Sequence, residues 1–224
     1  MPLLGSAAML LSFDVADDAI ADHDHWHTFE HLPERLSIPG FLRGTRWVAI
    51  HGAPRYFVLY EVEQLATLTS EAYLMRLNNP SAWTRKVMPD YRGMRRGLCT
   101  VSASFGRGLG SLATLLRFKP LAQSAAPLRR WLVEEALPSL PGKPGLGCAH
   151  LLESAAAAPM TDEQRIRGAD AGVDWALVVT GYEREAFEHT GLDAAALAAR
   201  GAAEVHEATY RLDYTLSRAE VVGA

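Results

Sequence analysis

The stretch Trp26-His27-Thr28-Phe29-Glu30-His31-Leu32-Pro33-Glu34-Arg35, running on to Ile38-Pro39-Gly40-Phe41, decides how this chain reads. It sets a tryptophan, two histidines, two glutamates and an arginine on one short helical segment, then stops at a Pro-Gly turn. The segment has an echo at a constant offset of 105 residues, where Trp131, Glu135, Leu137 and Pro138 repeat Trp26, Glu30, Leu32 and Pro33. Pro144-Gly145-Leu146 repeats Pro39-Gly40-Phe41 at the same offset. Shared spacing over two such segments marks an internal duplication. His31 breaks the echo, because its counterpart is Ala136.

Around this pair the 224 residues divide into two fused halves, expected at 1–106 and 111–224, of about 110 residues each. Apolar residues make up 49% and charged residues 21%, the composition of an ordinary globular chain. A formal net charge of −4, with no run of Lys and Arg among aromatics, argues against a nucleic-acid partner. Cys99 and Cys148 both stand in apolar, strand-like runs and read as buried small hydrophobes, which fits a reducing cytoplasm. The apolar start of the chain lacks a basic leader and meets Asp14, Asp17 and Asp18, so no secretory signal is expected. No stretch approaches the ~20 apolar residues of a membrane span.

Hydrophobic patterning predicts strands near 8–15, 41–50, 55–62 and 98–105, with helices near 17–36, 70–77 and 83–88 between them. Pro33 is expected to end or kink the first helix near His31. His51-Gly52-Ala53-Pro54 reads as a hairpin turn. The order is βαββαβ, the ferredoxin-like split unit. Beyond a glycine-rich connection at 106–110, strands near 113–118, 147–153, 175–182 and 204–216 and helices near 124–137 and 192–200 repeat it. The long connection 154–174, with its acidic and small residues, reads as a mobile flap or, in the preferred reading, a plain exposed loop. A four-stranded sheet covered on one face by its own helices must bury the other. The fold class is therefore α+β, with two tandem βαββαβ units packed sheet to sheet within one chain as an intramolecular barrel.

The pattern Trp26, Glu30-His31-Leu32-Pro33-Glu34-Arg35 and Pro39-Gly40-Phe41, with Tyr73-Leu74, Leu77-Asn78-Asn79-Pro80 and Trp83-Thr84, resembles the dimeric α/β-barrel superfamily in its EthD-like and stress-responsive A/B-barrel form. The chain looks like a tandem-duplicated member, a pseudo-dimer that leaves further homodimer formation open. Members of that superfamily include cofactor-free monooxygenases, lactone isomerases, polyketide cyclases, aldoxime dehydratases and haem-degrading enzymes. In several of them a histidine on or after the first helix faces the cleft as acid or base. Carried over by position, that residue is His31. No haem-ligand signature is present, and the resemblance implies no cofactor.

His23, His27 and His31 recur every four residues with Glu30 and Glu34 nearby, a spacing that can chelate a divalent cation. There is no HExxH, and a metal-free protein is the expectation. An imidazole with an ordinary pKa of ~6.5 moves protons at neutral pH. The candidate site is accordingly His31 as catalytic group, with His27, Trp47, Tyr56 and Tyr60 lining a pocket for a small apolar or aromatic molecule. Glu30, repeated in the second half, reads as a structural residue tying Arg35 or Arg46. Arg95-Arg96 could meet an anion or stand as a solvated strand end. The function expected is proton transfer on a small metabolite, of isomerase, cyclase, dehydratase or oxygenase type. A non-catalytic or stress-related binding protein is the alternative.

Overall fold

The structure, a computed structural model, describes residues 3–155 and 160–223. Its first half runs β1 (Ala7–Val15), α1 (Ile20–Trp26), α2 (Leu32–Ser37), β2 (Phe41–His51), β3 (Tyr56–Val62), α3 (Glu71–Leu77), α4 (Ala82–Val87) and β4 (Tyr91–Gly106). The second runs β5 (Leu112–Pro120), α5 (Ala125–Trp131), β6 (Leu146–Ser154), α6 (Asp162–Arg167), β7 (Ala171–Gly172), β8 (Trp175–Gly181), α7 (Ala194–Ala198), β9 (Ala202–Ser217) and α8 (Arg218–Val222).

Each half forms a four-stranded antiparallel sheet, in the order β4-β1-β3-β2 and β9-β5-β8-β6. The two sheets face each other and join along both edges, β2 with β9 and β4 with β6. Eight strands thereby close a barrel, and among the described residues no long edge is left open. The expected tandem ferredoxin-like barrel is what the chain builds.

Three cores follow from strand alternation. On β3, Tyr56, Val58, Tyr60 and Val62 face the first-half helices, while Phe57 and Leu59 face the barrel interior. Leu116, Phe118, Leu177 and Val179 meet the second-half helices. Strand β1 is apolar almost throughout because both of its faces are buried.

The duplication extends to backbone irregularities. Residues His27–His31 form a π-helical turn in which Leu32 N–H donates to His27 O, and Leu132–Ala136 form another in which Leu137 N–H donates to Leu132 O. The widened turn accommodates the proline that follows, so Pro33 does not end the helix. It stands in the first turn of α2, where its missing N–H costs little. Gly40 and Gly145 both sit at positive φ, 88° and 83°, in the turns into β2 and β6, where a Cβ would be strained.

Two departures from the sequence reading matter for the site. Strand β4 begins at Tyr91 rather than near Leu98, because its polar first turn pairs with β1 and with the short β7. The connection 154–174 is not a plain loop: Thr161 and Gln164 form a reciprocal capping box for α6, and Thr161, Glu163 and Gln164 are buried. Residues 156–159 lie outside the described residues. No helix of the described residues is long and apolar enough to cross a membrane.

Candidate functional site

The four-residue spacing puts His23, His27 and His31 in a file along the helix face that packs on the sheet. All three are buried, and neighbouring rings stand 5.6 and 5.5 Å apart. Each imidazole is handled differently. His23 Nε2 meets the Tyr91 hydroxyl at 3.2 Å and its Nδ1 meets Asp24 at 3.0 Å. Arg46 donates to His27 Nδ1 at 3.3 Å, which places the His27 proton on Nε2, facing the Tyr60 hydroxyl at 3.3 Å. His31 packs on Trp26 with ring centroids 4.3 Å apart and planes tilted by 38°, and its buried Nδ1 has no hydrogen-bond partner among the described residues.

Electrostatics keep the file neutral. Burial first, then the charge of Arg35, holds His31 well below an ordinary imidazole, with His27 and Arg167 acting in the same sense. His27 is held down by burial, His23 and Arg46. Burial raises the Tyr60 phenol, so it stays protonated, its oxygen accepting from His27 Nε2.

Beside His31 lies a cavity of about 20 Å³, room for roughly one water. Met9, Leu11, Tyr73 and Arg96 close it from the first half, and Glu163 and Arg167 close it from α6 of the second. Arg35, 1% exposed, is paired with both Glu163 and Glu34, the latter at 3.0 Å. Against the cost of burial, those carboxylates keep Arg35 charged. Arg167 is paired with Asp170 at 2.7 Å. Arg96 donates to the Tyr73 hydroxyl at 3.2 Å and also lines a neighbouring groove of about 140 Å³ with Leu98, Gln164 and Gly172.

The expected site residues divide over this geometry. His31 lines the cavity. His27, Tyr56 and Tyr60 stand behind it in the same helix–sheet layer, hydrogen-bonded and buried. Trp47 parts from the set. It projects to the barrel interior, stacked near Phe57 at 6.4 Å, because neighbouring strand positions point to opposite faces. Among the described residues Glu30 ties no arginine. It accepts from Trp26 Nε1 at 3.0 Å and from Ser81 at 2.5 Å. The carboxylates within reach of His31 are Glu34 and Glu163, whose oxygens and a His31 nitrogen all lie within 4.8 Å of one another. Arg35 engages both, so a cation there would compete with a guanidinium already in place.

Sequence reasoning missed Glu163, Gln164 and Arg167, and it named Arg96 only with Arg95 as an anion contact or a solvated strand end. The Thr161-x-x-Gln164 capping box was the signal for α6, but nothing local says which face of the molecule α6 covers. In the second half the counterparts of His23, His27, His31 and Arg35 are Leu128, Leu132, Ala136 and Leu140, and an apolar core fills the same layer.

No protein-family model matches the sequence, and no curated protein matches it. Solved structures do. An anthrone oxidase-like protein shares 12% identity with a TM-score of 0.66, over 99% of this chain and 97% of its own. A monooxygenase candidate from Fusobacterium nucleatum gives 9% and 0.62, over 96% and 95%. A mutant chlorite dismutase from Candidatus Nitrospira defluvii gives 12% and 0.54, over 97% and 94%. At such identities the likeness shows the fold, which is that of the dimeric α/β-barrel proteins.

Proposed function

We propose that the chain is an enzyme that transforms a small, mostly apolar or aromatic metabolite in the first-half cleft, with His31 as the proton-transferring group and no cofactor in the reaction. One observation carries the reading: a buried, neutral imidazole with a free Nδ1 faces a cavity in one half, where the other half has Ala136 on the same scaffold. A fold that packs equally well on leucines has no structural need of a histidine file.

The chemistry follows from the surroundings. A neutral imidazole accepts a proton from an acidic C–H or phenolic O–H, and Arg35 and Arg167 favour the enolate or phenolate left behind. The body of the substrate would lie in the groove bordered by Arg96 and Leu98, its reacting atom reaching past Arg96 to His31. His27, Tyr56 and Tyr60 back the reacting ring, and Trp47 belongs to another space. What the anion does next sets the reaction type: isomerisation, cyclisation, dehydration or addition of oxygen. The fold shared with an anthrone oxidase-like protein and a monooxygenase candidate supports trying oxygen addition first. For an anthrone-type methylene this balances as CH2 plus O2 giving C=O plus water.

Proton transfer is common to every branch, so it is what the experiment reads. Anthrone and a panel of hydroxylated aromatics are incubated in D2O without oxygen, and deuterium entry at the acidic carbon is followed by NMR. The parent is expected to accelerate exchange and His31→Ala to return it to the uncatalysed rate. Binding with no exchange by the parent would favour the non-catalytic alternative.

A further inference from the structure

The barrel interior is apolar along most of its length, yet one end carries a polar layer that the first-half site does not use. Strand alternation continues Ala8 and Leu10 to Ser12, Ala113 and Leu115 to Arg117, Ala208 to His206, and Cys99 to Arg95, all on the inner face. Ser12 pairs across the ladder with Arg95, and Arg117 pairs with His206. Ser12 and Arg117 are themselves counterparts at the 105-residue offset, so the layer lies at one barrel end and spans both halves.

These groups lack partners of their own. Arg117 is 8% exposed, and among the described residues neither it nor Arg95 makes an ion pair or a side-chain hydrogen bond. The hydroxyls of Ser12 and Tyr210 are buried and have no hydrogen-bond partner among the described residues. Arg117 and Arg95 are within electrostatic reach of each other, and Arg117 also feels Tyr210. Toward the other end, Arg43 has its own carboxylate, Glu61, at 2.6 Å. A buried cation without an anion is costly, and the like charge of half-buried Arg95 beside Arg117 adds to that cost. Above the layer a cleft of about 30 Å³ opens to solvent, lined by Arg95, Arg117, Lys119 and His206 together with the carboxylates Asp174 and Glu204, neither of which pairs with Arg95 or Arg117 among the described residues.

We propose that this barrel mouth binds a small oxyanion, held by the guanidinium groups of Arg117 and Arg95 with the Tyr210 and Ser12 hydroxyls as donors beneath. The space takes a carboxylate head group or an inorganic oxyanion, and its contents are independent of the His31 cleft on the outer face of the sheet.

The test is thermal melting and isothermal titration of the full chain with sodium phosphate and with sodium acetate, against sodium chloride at equal ionic strength. The parent is expected to show a saturable rise in melting temperature with one of the two oxyanions that chloride does not give. A response to phosphate alone assigns an inorganic oxyanion, and a response to acetate alone assigns a carboxylate. Arg117→Met should melt at or above the parent without added anion and lose the response. Tyr210→Phe, which keeps the ring, should weaken binding several-fold. His31→Ala should respond as the parent does. No anion-specific rise in the parent, or an unchanged response in Arg117→Met and Tyr210→Phe, overturns the proposal.

Discussion

Glu163 and Arg35 meet as a buried ion pair across 128 residues of sequence, the first on α6 of the second half and the second on α2 of the first half. Arg35 is 1% exposed and Glu163 2%, so each is the other's counter-charge in a space without bulk water. The pair fastens the β6–β8 connection over the His31 cavity. This is how a second half with no counterpart of the histidine file still contributes to the site.

Breaking that pair should cost stability and loosen the cover together. Glu163→Gln leaves Arg35 with Glu34 as its remaining carboxylate, and removal of one partner of a buried pair costs about 3 kcal/mol or more. Urea unfolding measures the loss, and amide exchange across 162–167 should accelerate. An unchanged midpoint with unchanged exchange would show that α6 is held by its apolar contacts instead.

Replacing His31 with Ala reproduces the residue present in the second half. The fold should survive with a loss of about 1–3 kcal/mol from the emptied volume beside Trp26, partly offset by removal of the unbonded Nδ1. Catalysed proton exchange should vanish. Full activity in a folded His31→Ala protein would end the assignment.

Acid should destabilise the protein from about pH 6.5 downward. Burial lowers His23, His27 and His31, and burial with Arg43 brings His150 down to about 4. The unfolded chain takes up protons near pH 6.5 while the folded chain does not. Stability present above that pH is therefore lost on acidification, by about 1.4 kcal/mol per pH unit for each histidine. His27→Leu, which copies Leu132, should flatten the pH dependence of the urea midpoint between about pH 6.5 and 5. Parallel curves for parent and variant would refute the neutral file.

Trp47 offers a control on the division between the two spaces. Trp47→Ala removes a large side chain from the barrel interior and should cost about 3–5 kcal/mol. Activity per folded molecule should stay at the parent level, because the tryptophan stands on the far face of the sheet from His31. A selective fall in activity at full folding would place Trp47 in the reacting cleft after all.

What the sequence by itself determined is whatever has a local period or a local cause. The Trp26/Trp131 echo carried the duplication, and with it the Gly40 and Gly145 turns. The β-branched and aromatic runs marked most strands, and the spacing of His23, His27 and His31 put three imidazoles on one helix face. The tertiary structure decided the rest. Barrel closure through β2–β9 and β4–β6 joins residues far apart in the chain, and no local pattern records which edges meet. The early part of β4, with Arg92, Arg95 and Arg96, is a strand because β1 and β7 supply its hydrogen bonds, not because its residues favour one. Thr161-x-x-Gln164 announces that a helix starts, but only closure of the barrel carries that helix over the other half and sets Glu163 against Arg35. The face chosen by Trp47 likewise follows from strand register, where a one-residue step reverses every side chain.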